Sequence, residues 1–240
     1  MTEKCSPEFR SIADNIKEIK ENIARACAQA GRAEQEVRLM AVTKTVAAEK
    51  INAALACGID LVGENKVQEM LSKLDSLHPR GVEKHLIGHL QTNKVRQVVG
   101  VADMIQSLDS VKLAKEIEKQ AEKLNIRQKV LLEVNIGNED SKSGFLPEAL
   151  EESIHEIAGM PHISVEGLMA IPPICEKSDD VRLHFKNMHK LFIDIRAKKI
   201  DNVSMSVLSM GMSGDYKEAI LEGATMIRVG SGIFGARIYT

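Results

Sequence analysis

Two hydrophobic rhythms divide the chain. Near the N-terminus, Phe9, Ile12, Ile16, Ile19 and Ile23 recur at alternating steps of three and four, the spacing of one apolar helix face. Ser6-Pro7-Glu8 precedes them as a helix start, with a capping hydroxyl and a proline where its missing N–H costs nothing. Gly31 ends the helix. Beyond it, short apolar runs at 37–44, 60–65, 84–89, 104–109, 129–135, 164–171, 203–211 and 225–231 alternate with amphipathic stretches. One stretch carries Val111, Ala114, Ile117, Ala121 and Leu124 against a face of lysine and glutamate. Another carries Val181, Phe185, Met188, Phe192 and Ile195 and ends in Lys198 and Lys199, where positive charge suits the helix dipole.

Strand runs separated by helices predict parallel βα units. A doubly wound open sheet competes with a closed barrel. Eight units in 240 residues match a (β/α)₈ TIM-type barrel with an extra N-terminal helix over its bottom or side. No Pro/Gly/Ser-rich linker or compositional break interrupts the chain, so residues 1–240 are read as one domain. A chain of this length can bury roughly 70–75% of its unfolded surface.

Composition narrows the function classes. Hydrophobic residues make up 44% and charged residues 28%, with a formal net charge of −2, so a nucleic-acid backbone is not the expected partner. No run approaches the roughly 18 apolar residues of a membrane span, and the polar N-terminus lacks a secretory core. Cys5, Cys27, Cys57 and Cys175 are scattered without a Cys-x-x-Cys pair, which points away from zinc and disulfides and toward a reducing compartment, the cytoplasm.

In such a barrel the functional face is built from the C-terminal strand ends. Lys44 closes the first run and Asn65 the second. His89 and Gln91 lie at the third, Asp109 at the fourth, Asn135 at the fifth, Ser209 to Ser213 at the seventh, and Arg228 to Gly232 at the eighth. The loops after strands seven and eight, with a short extra helix at Ile233 to Ala236, occupy the place of a frequent phosphate site. Backbone N–H groups with serine hydroxyls beside them suit a dianion. A lysine at the same mouth is an amine nucleophile, and phosphate site plus amine together describe a pyridoxal phosphate pocket. Arg228, inside the apolar Met226-Ile227-Arg228-Val229, needs an acceptor. A carboxylate in the barrel wall or the pyridine nitrogen of a cofactor would serve, and an arginine there disfavours the pyridinium and weakens the ring as an electron sink.

Two motifs are set aside. Gly230 to Gly235 spells G-x-G-x-x-G, but a dinucleotide site needs a further βαβ unit after it. His85 and His89 share a strand face without the dense ligand set a metal requires, and are read as hydrogen-bonding histidines.

Ordered blocks along nearly the whole chain resemble the pyridoxal phosphate homeostasis protein family, single-domain barrels related to the N-terminal domain of alanine racemase. They are Ala41-Val42-Thr43-Lys44-Thr45, Gly63-Glu64-Asn65, His85 to Lys94, Val134-Asn135-Ile136 with Ser141 to Gly144, Gly167 to Pro172, Ser209 to Ser213, and Arg228 to Arg237. The resemblance implies that Lys44 carries pyridoxal 5'-phosphate as a covalent aldimine. It implies further that Ser209 and Ser213 lie in the phosphate loop, that Gly230 and Ser231 complete the cup, that Arg228 faces the ring nitrogen and that Asn65 lies close to the cofactor. Lys66, Lys84 and Ser231 depart from the residues common in the family, the last keeping a hydroxyl.

The resemblance implies a carrier that buffers the cofactor and hands it to apo-enzymes, with no catalytic or metal-binding residue assigned and a monomer expected. A racemase-like enzyme is the alternative. It would need an acid/base opposite Lys44, for which Tyr216, Tyr239 and Cys175 are the residues to consider. An aldolase using Lys44 on a phosphorylated sugar is the third reading.

Overall fold

The computed structural model describes residues 9–235 apart from 79, 80, 140 and 176. All eight expected strands form: β1 (Arg38–Val42), β2 (Leu61–Glu64), β3 (Glu83–Leu86), β4 (Met104–Leu108), β5 (Gln128–Glu133), β6 (Ile163–Met169), β7 (Val203–Ser209) and β8 (Met226–Val229). β1, β2, β4 and β5 stop short of Lys44, Asn65, Asp109 and Asn135, which already turn into the loops, whereas Ser209 and Arg228 lie within β7 and β8. The strands pair in parallel in chain order, and β8 returns to β1 through Met40↔Arg228 and Ala41↔Val229, which closes the barrel. The open-sheet alternative is thereby removed.

Parallel strands require crossovers, and a helix follows each strand. These are α2 (Ala48–Ala56), α3 (Val67–Lys73), α4 (Val95–Val98), α5 (Val111–Leu124), α6 (Leu150–Ala158), α7 (Ser178–Ala197), α8 (Tyr216–Leu221) and the short α9 (Ser231–Phe234). On α7 all five expected apolar residues are buried, and each large side chain so buried contributes roughly 1.5–3 kcal/mol. On α5, Leu113, Ala114, Ile117 and Ala121 face inward. Leu124 does not: it is 53% exposed at the last helical position before Asn125 turns the chain at φ 50°.

The N-terminal helix α1 (Arg10–Gln29) buries Ile12, Ile16, Ile19 and Ile23 against α2, α8 and α9. It therefore covers the side of the barrel where β8 meets β1. Its start at Ser6-Pro7-Glu8 lies outside the described residues, whereas Gly31, at φ 66°, terminates it as expected. No described helix is long and apolar enough to cross a membrane.

Inside the barrel the alternation of strand residues brings Met40, Val42, Leu61, Ile87 and Met226 into one small cluster, and Met104, Leu131 and Met169 into another. Gly63 belongs to this inner face. A Cβ there would lie 2.4 Å from Met40 Sδ, so only glycine lets the methionine fill the axis.

Candidate functional site

At the mouth of the barrel, Val42 of β1, Arg228 of β8 and the loops that follow the strands enclose a cavity of about 250 Å³. Lys44, Asn65, Ser213, Arg228, Gly230 and Ser231 all line it, six of the seven positions singled out in the sequence. Ile87, Ile171 and Met212 supply apolar wall.

Lys44 is half-buried. Its ammonium makes no hydrogen bond or ion pair among the described residues, while the backbone on both sides of it is tightly held. Thr45 adopts φ 60°, a costly conformation for a β-branched residue. Its N–H donates to Glu69 Oε1, and its hydroxyl to the Lys44 carbonyl at 2.7 Å. Thr43 points to the outer side of the barrel and donates its hydroxyl to Glu64 Oε1 at 2.7 Å. Lys73 on α3 completes the group, donating to Glu64 and Glu69 at 2.7 Å each and to the Thr43 carbonyl at 2.8 Å. Burial raises the Glu64 carboxyl above its ordinary range, with Lys73 and Thr43 opposing. Burial acts the same way on Glu69, but there the Lys73 and Thr45 hydrogen bonds prevail and lower it. The i,i+4 pair Glu69–Lys73 was legible on α3. Its convergence with Glu64 from β2 was not.

Arg228 is 3% exposed. Its Nη1 donates to Ser209 Oγ at 2.7 Å and its Nη2 to the Ala170 carbonyl at 2.9 Å. The barrel-wall carboxylate considered as its partner is not bonded to it: a hydroxyl and a carbonyl take that place. Burial pushes the guanidinium down to about 10, and the more distant Asp215 and Glu133 charges pull it back up. Ser209, expected in the phosphate loop, lies instead beneath Arg228. Strand alternation turns it into the barrel, where it is fully buried and its proton goes to Gln106 Oε1 at 2.7 Å.

Four residues later the chain has turned through Gly211 at φ 90°, where a Cβ would come within 2.5 Å of Ala219 Cβ. That turn carries Ser213 to the rim. Its Oγ accepts N–H groups from Gly230 and Gly232 at 3.3 Å each. These long bonds mark a pair of converging amide donors that a stronger acceptor would satisfy better. Gly232 is required for this approach, since its Cβ would lie 2.9 Å from Val229 Cγ1. The G-x-G-x-x-G string is thus a strand end followed by the four-residue α9.

Asn65 presents a buried Oδ1 with no hydrogen-bond partner. Gly88 passes directly over its backbone, where a Cβ would stand 2.2 Å from the Asn65 carbonyl oxygen. A pyridoxal phosphate molecule fits what the cavity offers: converging amides for a dianion, an unpartnered lysine amine for an aldehyde and an orphaned amide oxygen for a donor.

Across the mouth the chemistry is different. His89 Nδ1 pairs with Asp109 Oδ2 at 3.0 Å. Burial, and then the Asp109 charge, push the Glu133 carboxyl up to about 7 against the opposing pull of Arg228 and His89. Asn135 organises its own loop, bonding the Glu139 carbonyl and N–H at 2.9 and 3.1 Å. His85 bonds Glu83 and Gln106, so both histidines have the hydrogen-bonding character read for them. Tyr216 is buried, its phenol hydrogen-bonded to Asn22 of α1, and it does not line the cavity that Lys44 lines. Cys175 gives its thiol to the Pro173 carbonyl at 3.4 Å, and Tyr239 lies outside the described residues. Gln106 and Glu133 were missed. Gln106 carried the same signal as Arg228, a polar residue within an apolar strand.

The family model for the alanine racemase N-terminal domain matches residues 15–238. The chain is 43% identical over 229 residues to the pyridoxal phosphate homeostasis protein of Aquifex aeolicus, covering 95% of this chain and all of that one. It is 36% identical to that of Escherichia coli K12, covering 97% and 99%. Among solved structures, PipY of Synechococcus elongatus with pyridoxal phosphate bound aligns at a TM-score of 0.81 and 30% identity, over 93% of this chain and all of that one. Alanine racemase of Clostridium difficile aligns at 0.71 and 17% identity, over 93% of this chain and 57% of that one, a likeness of fold.

Proposed function

From the premise that the chain belongs to the pyridoxal phosphate homeostasis protein family, we propose that it holds pyridoxal 5'-phosphate in the mouth of its barrel and serves as a reservoir of the cofactor. The observation that carries this reading is the convergence, on one cavity, of an unpartnered lysine amine and a pair of amides aimed at one acceptor. Ser213, Ser231 and the Gly230 and Gly232 amides would hold the phosphate. Lys44 would hold the aldehyde covalently, Arg228 would face the ring nitrogen and Asn65 would accept a hydrogen bond from the ligand. When bound, the cofactor supplies an electrophilic carbonyl carbon and an aromatic electron sink. An arginine at the ring nitrogen keeps that sink weak, because a guanidinium donates and has no proton-accepting site.

A holder fits the geometry better than a racemase. Beside Lys44 and Arg228, the described cavity wall consists of hydroxyl, amide and apolar groups, and Tyr216 is engaged under α1. A second acid/base facing Lys44 is what racemisation would require. The aldolase reading gives way to the family. We propose further that the protein works in the cytoplasm as a one-domain monomer, with apo-enzymes as recipients of the cofactor.

Borohydride reduction of the loaded protein, followed by peptide mass analysis, tests the assignment. Reduced cofactor is expected on the Lys44 peptide of the wild type and absent from Lys44→Ala, whose far-ultraviolet dichroism stays unchanged. Equal trapping in both proteins would overturn it. An absorbance band that stays put across a panel of amino acids is the expected sign of a holder. A shift with one of them, accompanied by loss of its optical activity, would restore the racemase.

A further inference from the structure

Polar side chains thread the barrel axis beneath Arg228. His85, Gln106 and Ser209 are fully buried and Arg228 nearly so, and they come from β3, β4, β7 and β8. Arg228 Nη1 lies 2.7 Å from Ser209 Oγ, Ser209 Oγ 2.7 Å from Gln106 Oε1, and Gln106 Nε2 2.8 Å from His85 Nδ1. His85 Nε2 lies 2.7 Å from Glu83 Oε1. Glu83 begins β3 at the opposite end of the barrel, where Arg38 also binds it at 2.8 Å.

The two ends dictate the direction of every bond. A guanidinium only donates, so Ser209 accepts from it and spends its own proton on Gln106 Oε1. That turns the Gln106 NH₂ toward His85 Nδ1, which must then accept. A carboxylate only accepts, so from the other end His85 must donate through Nε2. The mouth end leaves Nδ1 bare and the floor end places a proton on Nε2, so the two meet in one tautomer and one amide orientation. The donors therefore run head to tail from the mouth to the floor, and aligned hydrogen bonds of this kind polarise one another in a low-dielectric interior.

We propose that His85, Gln106 and Ser209 are positioning residues for Arg228, with His85 locked as the Nε2–H tautomer, so that a carboxylate on the barrel floor orients and supports the arginine in the ligand cavity. The consequence for the cofactor rests on the functional reading above; the chain itself does not. Two Arg228 donors are committed to Ser209 and Ala170, and the geometry they impose fixes where its remaining N–H groups can point. The floor end is well anchored: the His85 hydrogen bond, assisted by Arg38, holds the Glu83 carboxyl down at about 2 against the effect of its own burial.

The test uses the ¹⁵N-labelled, ligand-free full chain. Long-range ¹⁵N–¹H correlation spectra are expected to show the His85 ring protonated at Nε2, with the signal assigned by its loss in His85→Phe. Glu83→Gln is expected to move the Arg228 guanidinium resonances, whereas Arg38→Met, which removes a neighbour of Glu83 but no link of the chain, leaves them in place. In the loaded protein, Gln106→Leu is expected to shift the cofactor's absorbance band and to speed its release roughly tenfold, the loss expected when buried donors go unpaired. An Nδ1–H tautomer, or Arg228 resonances indifferent to Glu83→Gln, overturns the proposal. The tautomer is read on unaltered protein, so a variant that fails to fold does not shield it. If the chain is present but the wild type takes up no cofactor, the functional reading fails and this inference stands. If cofactor binds and the tautomer is wrong, this inference alone falls.

Discussion

Outside the barrel wall, between β1, β2 and α3, Glu64 and Glu69 share the ammonium of Lys73, and the group grips main chain at Thr43 and Thr45. Inside the wall, a single cation is held without any bonded carboxylate, through a hydroxyl and a carbonyl on the Arg228 head group. The contrast follows from what each residue has to keep free. Under the proposed function Lys44 would need an unencumbered amine, and it is positioned through its backbone neighbours, with no hydrogen bond or ion pair to Nζ among the described residues. Arg228 would need a fixed head with some donors to spare, and there the head itself is bound. Charge pairing suits the outer group because its ligands converge on one ammonium. In the lumen, a carboxylate bonded directly to Arg228 would have neutralised the cation that faces the cavity.

Breaking the outer group should have the largest effect. Lys73→Met strands Glu64 with a buried, uncompensated carboxylate, and removing one partner of such a pair costs about 3–5 kcal/mol. At this chain length the thermal midpoint should fall by roughly 6–20 °C, measured by circular dichroism. The double variant Glu64→Leu/Lys73→Met should recover much of the loss. A wild-type melt for Lys73→Met would mean the outer group does not clamp Lys44.

Ser209→Ala attacks the inner network and should cost about 1–3 kcal/mol, since it leaves an Arg228 donor and the Gln106 carbonyl without their partner. A urea titration reads this directly, and a cost as large as that of Lys73→Met would erase the distinction between the two regions. Glu133 gives a smaller, pH-dependent signature. Its carboxyl is raised from 4.5 to about 7 in the folded protein, so between those values the folded state holds more protons than the unfolded one. Stability from this group is present below pH 4.5 and lost as pH rises to about 7. Glu133→Gln should therefore raise the thermal midpoint relative to wild type at pH 8 and change it little at pH 4. An equal change at both values would show that the carboxyl titrates normally. The smallest effect is expected from Thr45→Gly, which relieves φ 60° at the expense of a hydroxyl contact. Its stability should stay within about 1 kcal/mol of wild type, and a larger loss would mean that the hydroxyl, and not the Glu69 bond, holds the turn.

Ser209 and Ser213 show where legibility ends. Both lie in one Ser/Gly-rich stretch at the end of β7, and on composition they are equivalent. Alternation along the strand turns the first into the lumen, while Gly211 at φ 90° swings the second to the rim opposite the Gly230 and Gly232 amides. Leu124 is a similar case, a helix-face residue left exposed because the helix ends beside it. Conversely, Lys44, Asn65, Arg228, Gly230 and Ser231 stand at or beside the ends of apolar runs, a position they share with His89, Gln91, Asp109 and Asn135, and the family resemblance separated the two sets.

What the sequence by itself determined is therefore local or periodic. It includes eight strands, the apolar faces of α1 and α7, the choice of a barrel from the repeat of βα units, and the residues at the functional rim. Those features depend on near neighbours and on a repeat that any stretch of chain carries within itself. The tertiary structure alone decided which polar groups meet. Glu64 meets Lys73, nine residues on, only once α3 folds back beside β2, and Glu83, His85, Gln106, Ser209 and Arg228 form one line only after distant strands are brought side by side. Their relative heights depend on closure of the barrel and on the register shifts within β4, β5 and β6. Partner choice in a closed sheet is a property of shear and alternation taken together, and no window of sequence contains both.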